Sequence, residues 1–171
     1  MPNLIRLDLS DNRFSVQDLT FIFEPAAMPP APGHLPGGVH DDRHEDLPGL
    51  CRLQELNLSK NELCGPLNSI LEPLSLLTRL DLSDTTLRAA NAAQLGVVLS
   101  RMTHMRWLNI GGNRITQRAA APLGAAFAQM HRLEHLNASG HVLFNFGPDG
   151  MLSPLHMHAA PRGVFLFQGL P

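Results

Sequence analysis

A short phrase in which leucine recurs at fixed intervals occurs five times along this chain. Its form is leucine-x-x-leucine-x-leucine-x-x-asparagine-x-leucine, clearest at residues 4–14 (with Phe14 in the last place) and 53–63. Looser copies start at residues 77, 105 and 133. Side chains alternate along a strand, so the apolar positions of one copy lie on one side and cannot be buried by that copy alone. The phrase therefore predicts stacked units with one shared core.

The segments that follow the third and fourth phrases predict helices. The phrase starts at residues 4, 53, 77, 105 and 133 are separated by 49, 24, 28 and 28 residues. In the two 28-residue units, large apolar residues fall at equal offsets and four apart, as in Leu95 and Leu99, and again in Leu123 and Phe127. This spacing forms one apolar stripe on a helix. Pro122 fits such a helix in its first turn, where no backbone donor is needed.

The first two units differ from this pattern in ways that also predict structure. Ser15 and Asp18 have the spacing of a capping box that starts a helix. Pro66 and Pro73 make a full helix unfavourable in the second unit, so a short helical or 3₁₀ turn is expected there. The alanines and glycines of the later helices, Gly96 among them, are expected to let each helix approach the adjacent strand closely.

This strand–loop–helix unit resembles the ribonuclease-inhibitor type of leucine-rich repeat, found also in the sensor ends of NOD-like receptors and in Ran GTPase-activating proteins. Residues 77–155 carry the resemblance well, whereas residues 1–27 and 50–76 carry it through the strand phrase alone. It implies a curved α/β solenoid with parallel strands on the concave face and helices or short turns on the convex face. It also implies a rigid surface that binds protein.

One domain of about five repeats is expected over residues 1–171. The excess length between the first two phrases falls in residues 28–48, which are rich in proline, glycine and charge, so a disordered insertion is predicted. Residues 156–171 are expected to form an irregular tail with a sixth, partial strand. Extending the 28-residue register places Val164 and Leu166 at the fourth and sixth positions of a further phrase.

Composition argues against several function classes. Thirteen basic and 15 acidic residues give a net charge of −2 without a basic cluster, which disfavours nucleic acid and anionic membrane as partners. His34, His40 and His44 lie near carboxylates, but glycines and prolines disfavour the helix that would bring them together. A solvated loop is the preferred interpretation, and no metal or cofactor is expected. No catalytic motif occurs, so the chain is not predicted to be an enzyme.

Cysteine usage favours an intracellular, cytoplasmic location. The two cysteines, Cys51 and Cys64, flank the second phrase, and a disulfide between them is conceivable. Secreted proteins of this type usually carry cysteine-rich caps, which this sequence lacks. Two Asn-x-Ser sequons begin at Asn57 and Asn137 inside predicted strands, where a glycan would block stacking, so they are interpreted as chance matches.

The third and fifth positions of each phrase point away from the leucine core and are predicted to form the binding face. Trp107, flanked by Arg79 and His135, is the expected anchor for a protein ligand, since Trp and Arg are frequent in interface hot spots. The alternative is that its indole lies flat and shields the sheet. The third positions hold Arg6, Glu55, Arg79, Trp107 and His135; the fifth hold Asp8, Asn57, Asp81, Asn109 and Asn137.

The asparagine position of the phrase has a structural interpretation. Asn12, Asn61 and Asn113 occupy it, and their amides are expected to satisfy backbone groups of adjacent turns. Thr85 and His141 replace asparagine in the third and fifth phrases. A substituted structural residue is the preferred interpretation of His141.

A non-catalytic scaffold, regulator or sensor that binds an unidentified protein is the predicted function. One alternative, implied by the resemblance, is a regulator that activates a small GTPase, with Arg6 or Arg79 as the residues to test. Another is a fragment of a NOD-like receptor sensor domain. Because Leu4, Leu7 and Leu9 lack a preceding cap, self-association through uncapped solenoid ends is a further expectation.

Overall fold

The computed structural model describes residues 4–23, 50, 52–116, 119–139 and 164–166. Within this part, three-residue strands form one parallel six-stranded sheet in chain order. These strands are β1 (Arg6–Asp8), β2 (Glu55–Asn57), β3 (Arg79–Asp81), β4 (Trp107–Asn109), β5 (His135–Asn137) and β6 (Val164–Leu166). The first five occupy the third to fifth positions of a phrase, so each copy of the phrase contributes one strand.

The strands stack without offset. The central leucines are Cα partners from strand to strand: Leu7 with Leu56, Leu56 with Leu80, Leu80 with Leu108, and Leu108 with Leu136. Hydrogen bonding between coils continues beyond the strands, as where the Lys60 N–H donates to the Ser83 carbonyl at 2.9 Å. Equivalent residues of successive phrases therefore form straight rows across the sheet.

Four helices of unequal length connect the strands in the described residues. They are α1 (Val16–Phe23), α2 (Asn68–Leu71), α3 (Ala89–Leu99) and α4 (Ala120–Gln129). Each follows one strand and precedes the next, so the chain winds in one direction with the strands side by side. The predicted α/β solenoid is confirmed.

The starts of the helices agree with the sequence. The Ser15 N–H donates to Asp18 Oδ2 at 2.8 Å and the Asp18 N–H donates to Ser15 Oγ at 3.3 Å, which confirms the capping box before α1. Hydrogen bonds from the hydroxyl and N–H of Ser15 lower the pKa of Asp18. The short α2, four residues between Pro66 and Pro73, is also as predicted. Pro122 is the third residue of α4 and lies in its first turn.

Gly96 departs from its expected role. A Cβ placed on it would lie 2.8 Å from the carbonyl oxygen of Pro122, so its close neighbour is α4 and not a strand. The missing side chain lets two successive helices pack together on the side of the sheet that carries the core. The spacing of small residues identified the contact but assigned it to the wrong element.

The core lies between the sheet and the helices. The first, fourth and sixth positions of phrases two to five are buried, from Leu53, Leu56 and Leu58 through to Leu133, Leu136 and Ala138. In the first phrase, Leu4, Leu7 and Leu9 pack against this core but remain partly exposed. Burial is therefore complete in the interior coils and partial in the first coil.

A left-handed residue turns the chain at the eighth position of each of the first four phrases. Asp11, Lys60, Asp84 and Gly112 have φ values of 57°, 56°, 54° and 65°. At Gly112 a Cβ would overlap the side chain of Asp84, so the fourth phrase needs glycine for space as well as for φ.

Several predictions fall outside the described residues: the 28–48 insertion, His141, and the tail over 156–171 except for β6. The strand itself pairs with β5, with Val164 opposite His135 and Leu166 opposite Asn137. The extrapolated register is therefore wrong by one residue, because Val164 pairs with a third position and had been placed at a fourth. A one-residue slip exchanges the two faces of a strand, so an insertion of one residue would account for the difference.

Candidate functional site

The predicted binding residues form two adjacent rows on the face of the sheet that lies opposite the leucine core. We call this surface the sheet face. Arg6, Asp8 and Arg79 are exposed, and the other members are half-buried. The third-position row is Arg6, Glu55, Arg79, Trp107 and His135, and the fifth-position row is Asp8, Asn57, Asp81, Asn109 and Asn137. The structure brings all ten onto one surface because the strands are in register.

Arg6 and Glu55 form a bidentate ion pair at one end of the third-position row. Arg6 Nη2 donates to Glu55 Oε1 at 2.8 Å, and Arg6 Nε lies 2.8 Å from Glu55 Oε2. Hydrogen bonding to Glu55, followed by its charge, raises the pKa of the Arg6 guanidinium. Both oxygens of Glu55 are thereby engaged with Arg6.

Arg79, Trp107 and His135 form a stack at the other end of that row. The Arg79 Cζ atom lies 3.8 Å from the centroid of the Trp107 ring, a cation–π contact. The His135 ring is nearly parallel to the indole, at 4° and with centroids 5.4 Å apart. Because β3 and β5 lie on opposite sides of β4, these neighbours cover opposite faces of the indole. Trp107 is therefore sandwiched, and does not lie flat over the sheet.

The fifth-position side chains have a local structural role that the sequence analysis did not assign. In each described phrase, their Oδ1 atom accepts a hydrogen bond from the backbone N–H two residues later, at 2.9 to 3.1 Å. Where that residue is serine, its hydroxyl donates to the same oxygen at 2.6 to 2.8 Å. These Asx turns hold the chain as it leaves each strand.

Asp8 illustrates the electrostatic effect of these turns. The hydroxyl of Ser10 and then its backbone N–H lower the pKa of Asp8, and the Asn57 amide adds to the shift by donating to Oδ2 at 3.1 Å. Asn109 donates to Asp81 Oδ2 at 3.3 Å in the same way. Hydrogen-bond donors thus favour the charged form of Asp8.

The two sequons have a structural explanation in the Asx turns. Asn57 and Asn137 each accept the hydroxyl of the serine two residues later at 2.8 Å. The motif is thus the local turn chemistry of the repeat. The recurring Asx-x-Ser pattern in Asp8, Asn57, Asp81 and Asn137 was the signal that could have revealed Ser10, Ser59, Ser83 and Ser139 as partners.

A shallow concavity of about 430 Å³ lies on the part of the sheet face formed by β1 to β3. Its lining includes both members of the Arg6–Glu55 pair, the aspartates Asp8 and Asp81, and Arg79. Trp107 is not part of this lining, although Arg79 joins the concavity to the stack. The sheet face therefore has a recess beside the predicted anchor.

Asn61 and Asn113, at the ninth position of the second and fourth phrases, bridge successive coils. Asn61 Oδ1 accepts from the N–H groups of Asn12 and Phe14 at 3.2 and 2.8 Å, and its amide donates to the Leu9 carbonyl at 2.8 Å. Thr85 is buried and donates to Asn113 Oδ1 at 3.1 Å, so the row continues through the substitution. These side chains face the core side and take no part in the sheet face.

Other chemistry is not assembled in the part of the chain that the structure describes. No group of three or more His, Cys, Asp or Glu side chains there lies close enough to hold a metal ion. His34, His40 and His44 fall outside the described residues. Cys64 is an exposed free cysteine, and its Sγ lies 3.2 Å from Thr86 Oγ1. No helix among the described residues is both long enough and apolar enough to cross a membrane.

Comparison with known proteins identifies the repeat. A family model described as Leucine Rich Repeat matches residues 3–24 and 52–74, which contain the first two phrases. No curated protein sequence shows significant similarity to the chain. The matched segments and the parallel, in-register strands agree on a leucine-rich-repeat solenoid.

Two solved structures of internalins from Listeria monocytogenes are similar at low identity. An internalin (inlF) aligns with 18% identity and a TM-score of 0.38, covering 67% of this chain and 34% of the internalin chain. Internalin C2 (inlC2) aligns with 13% identity and a TM-score of 0.30, covering 95% of this chain and 80% of the other. This chain therefore spans about a third of the first internalin. Neither likeness is strong enough to bear on function.

Proposed function

We propose that this leucine-rich-repeat solenoid is a non-catalytic protein-interaction module that binds its partner through the sheet face. Leucine-rich-repeat domains in general bind proteins, and the partner and the binding face are the specific parts of the proposal. The repeat is proposed to be of the ribonuclease-inhibitor type. This type is supported by the segments that connect one strand to the next, because three of them, α1, α3 and α4, are helices of 8, 11 and 10 residues.

The stack of Arg79, Trp107 and His135 is the observation that carries the proposal. Binding costs free energy when side chains must be ordered, and a side chain already held by its neighbours loses less freedom. Both faces of Trp107 are held, by Arg79 at 3.8 Å and by His135 at 5.4 Å. The indole is therefore held on both faces, and Arg79, which covers one of them, also lines the recess of about 430 Å³. Trp and Arg in such fixed positions are typical hot-spot residues.

The test is capture of proteins from a cell extract on the immobilised chain, with wild type compared to Trp107→Ala. A hot-spot residue contributes roughly 2 kcal/mol or more, so the Kd of a captured protein is expected to rise about 30-fold in the variant. Circular dichroism and thermal unfolding of the two chains establish that the variant retains its fold.

Val97→Ser is the matched control, because Val97 is 52% exposed on α3, on the opposite side of the sheet. Proteins that bind the sheet face remain on this variant and leave Trp107→Ala. Equal capture by wild type and Trp107→Ala, with both chains folded, would rule out the sheet face as the binding surface.

The geometry gives less support to GTPase activation. A regulator that supplies an arginine to its partner must present that guanidinium at the bound nucleotide. Arg6 would first have to leave Glu55, which it contacts twice at 2.8 Å. Arg79 shares the recess with three carboxylates, which repel the phosphates of a nucleotide. Phosphate release by a panel of small GTPases, with and without the chain, distinguishes this alternative from binding alone. A sensor fragment of a NOD-like receptor stays within the proposed binding function.

Self-association is a second partner mode that one observation favours. Ile5, Phe21 and Ile22 of the first coil are 53%, 87% and 41% exposed, and they are three of the five exposed large apolar side chains among the described residues. Such exposed apolar groups favour association. Sedimentation equilibrium over a range of concentrations tests it, since a constant monomer mass contradicts self-association.

The intracellular location belongs to the same proposal and is supported by the free thiol of Cys64.

A further inference from the structure

The third-position row is divided between β2 and β3. Glu55 and Arg79 are Cα partners in the register and carry opposite charges, so a direct ion pair between them would be expected. Instead Glu55 pairs with Arg6 on one side, and Arg79 stacks on Trp107 on the other. The two side chains lean apart. The concavity of about 430 Å³ lies on this part of the face and is lined by both.

The carboxylates that line the concavity are already satisfied. Both oxygens of Glu55 contact Arg6 at 2.8 Å. Asp8 Oδ1 accepts from Ser10 and Oδ2 from Asn57, whereas Asp81 Oδ1 accepts from Ser83 and Oδ2 from Asn109. Each acidic group of the recess therefore has a donor on each oxygen.

Arg79 is the exception among the charged groups of the recess. Its side chain makes no hydrogen bond or ion pair to another described residue, and it is exposed. A guanidinium stacked on an aromatic ring keeps its N–H groups at its edge, where they can form two parallel bonds to a carboxylate. The contact thus holds beside the indole a donor group that has no acceptor within the described part of the chain.

We infer that the partner supplies a carboxylate to Arg79, from an acidic side chain on a segment that occupies the concavity. This inference rests on the proposed binding function and specifies the chemistry that the sheet face recognises. The recess contains three carboxylates and two guanidinium groups, so long-range attraction does not favour an acidic segment. The preference must come from short-range, bidentate hydrogen bonding at Arg79, for which a neutral amide of the same shape is a poor substitute.

The probe is a library of synthetic ten-residue peptides in which each position in turn is fixed as Glu, Gln or Lys and the others are randomised. Peptides are captured on the immobilised full chain. Those that bind the wild-type chain but not the Trp107→Ala variant are assigned to the sheet face. Among these, we expect Glu to be enriched over Gln about tenfold at one position, as a charged hydrogen bond requires.

Arg79→Gln and Arg79→Lys test the residue. Arg79→Gln removes both the charge and the planar pair of N–H donors, so the preference for Glu is expected to vanish. Arg79→Lys keeps the charge but not the planar pair of donors, so the preference is expected to weaken. Arg106→Gln is the control with the same change of charge, because Arg106 is exposed and lies 3.4 Å from Glu134. It is expected to retain the wild-type preference.

Four results would count against the inference, in different ways. Peptides that bind the sheet face without preferring Glu, or a preference that survives Arg79→Gln, overturn the role of Arg79 and leave the binding function standing. If the wild-type chain captures no peptide through the sheet face, both the role of Arg79 and the proposed binding function are contradicted. An equal loss of the preference in Arg106→Gln shows that net charge, and not the geometry of Arg79, decides selection.

Discussion

Asn113 joins two coils through one buried amide. Its Oδ1 accepts from the N–H groups of Thr85 and Leu87 at 2.9 and 3.1 Å, and its Nδ2 donates to the Leu82 and Ile110 carbonyls at 2.7 and 2.8 Å. Backbone groups at a tight turn have no partner in a strand or helix, and burial makes an unsatisfied group costly. A single side chain therefore satisfies backbone N–H and carbonyl groups at the bends of two successive phrases.

Asn113→Ala is expected to lower the free energy of unfolding by about 3 kcal/mol or more, since an unsatisfied buried group costs roughly 1–3 kcal/mol and several are left at once. Asn12→Ala provides the comparison. Asn12 has the same phrase position but is exposed and donates one bond, to the Ser10 carbonyl at 2.8 Å, so a loss below about 1 kcal/mol is expected. Urea unfolding measures both, and equal losses would contradict the bridging role.

The sequence revealed the direction of the sheet-face side chains but not their contacts. Alternation along a strand placed Arg79, Trp107 and His135 on the sheet face, and the structure agrees. Which neighbour each one contacts depends on rotamers and on competition, as where Glu55 pairs with Arg6 and not with Arg79. The alternative pairings between side chains on neighbouring strands differ little in energy, and the spacing of residues in the sequence does not determine which pairing forms.

At the scale of elements, the sequence predicted the features that depend on residues close together in the chain. It did not predict the contacts between one element and another. The capping box of Ser15 and Asp18, the first-turn Pro122 and the short α2 all depend on neighbours within a few residues, and sequence alone predicted them. The role of Gly96 depends on where α4 lies relative to α3. That placement follows from stacking of whole coils, so the sequence indicated a close contact without identifying the partner.

Gly96→Ala tests the contact between α3 and α4. At an open site within a helix, this substitution stabilises by about 0.5–1 kcal/mol through propensity. Here a Cβ would lie 2.8 Å from the Pro122 carbonyl oxygen, and backbone cannot move aside as a flexible side chain can. We therefore expect a net loss of about 1–3 kcal/mol in the free energy of unfolding, as for other overpacked sites.

The sign of the change decides the result for Gly96. Val97→Ala, one residue further along α3 and 52% exposed, is the control and is expected to change stability by less than about 0.5 kcal/mol. Thermal unfolding measures both variants. A gain in stability for Gly96→Ala would mean that the two helices are not in close contact.

At the scale of the whole molecule, stability in a solenoid is the sum of the repeats and of the interfaces between neighbours. The sequence predicted this architecture because the phrase recurs, and it failed by one residue at β6, where the spacing of the repeat changes. Interior coils have a neighbour on each side. The first described coil has one, and its partly exposed Leu4, Leu7 and Leu9 reflect that difference.

Leu80 and Leu7 occupy the same phrase position in an interior and in the first coil, so substituting each by alanine measures the effect of a second neighbour. Leu80 is fully buried, and Leu80→Ala is expected to cost about 2–5 kcal/mol. Leu7 is half-buried, and Leu7→Ala is expected to cost roughly 1–2 kcal/mol, in proportion to the apolar area it removes from water. Chemical unfolding measures the two losses.

Amide hydrogen exchange then locates the change. If stability passes from coil to coil through the shared core, Leu7→Ala accelerates exchange in β1 and leaves β3 and β4 protected, whereas Leu80→Ala accelerates exchange in β2, β3 and β4 together. The comparison depends on the in-register stacking of the leucines across adjacent strands. Equal costs at the two positions, with exchange raised uniformly along the sheet, would show that the coils do not stabilise one another in sequence.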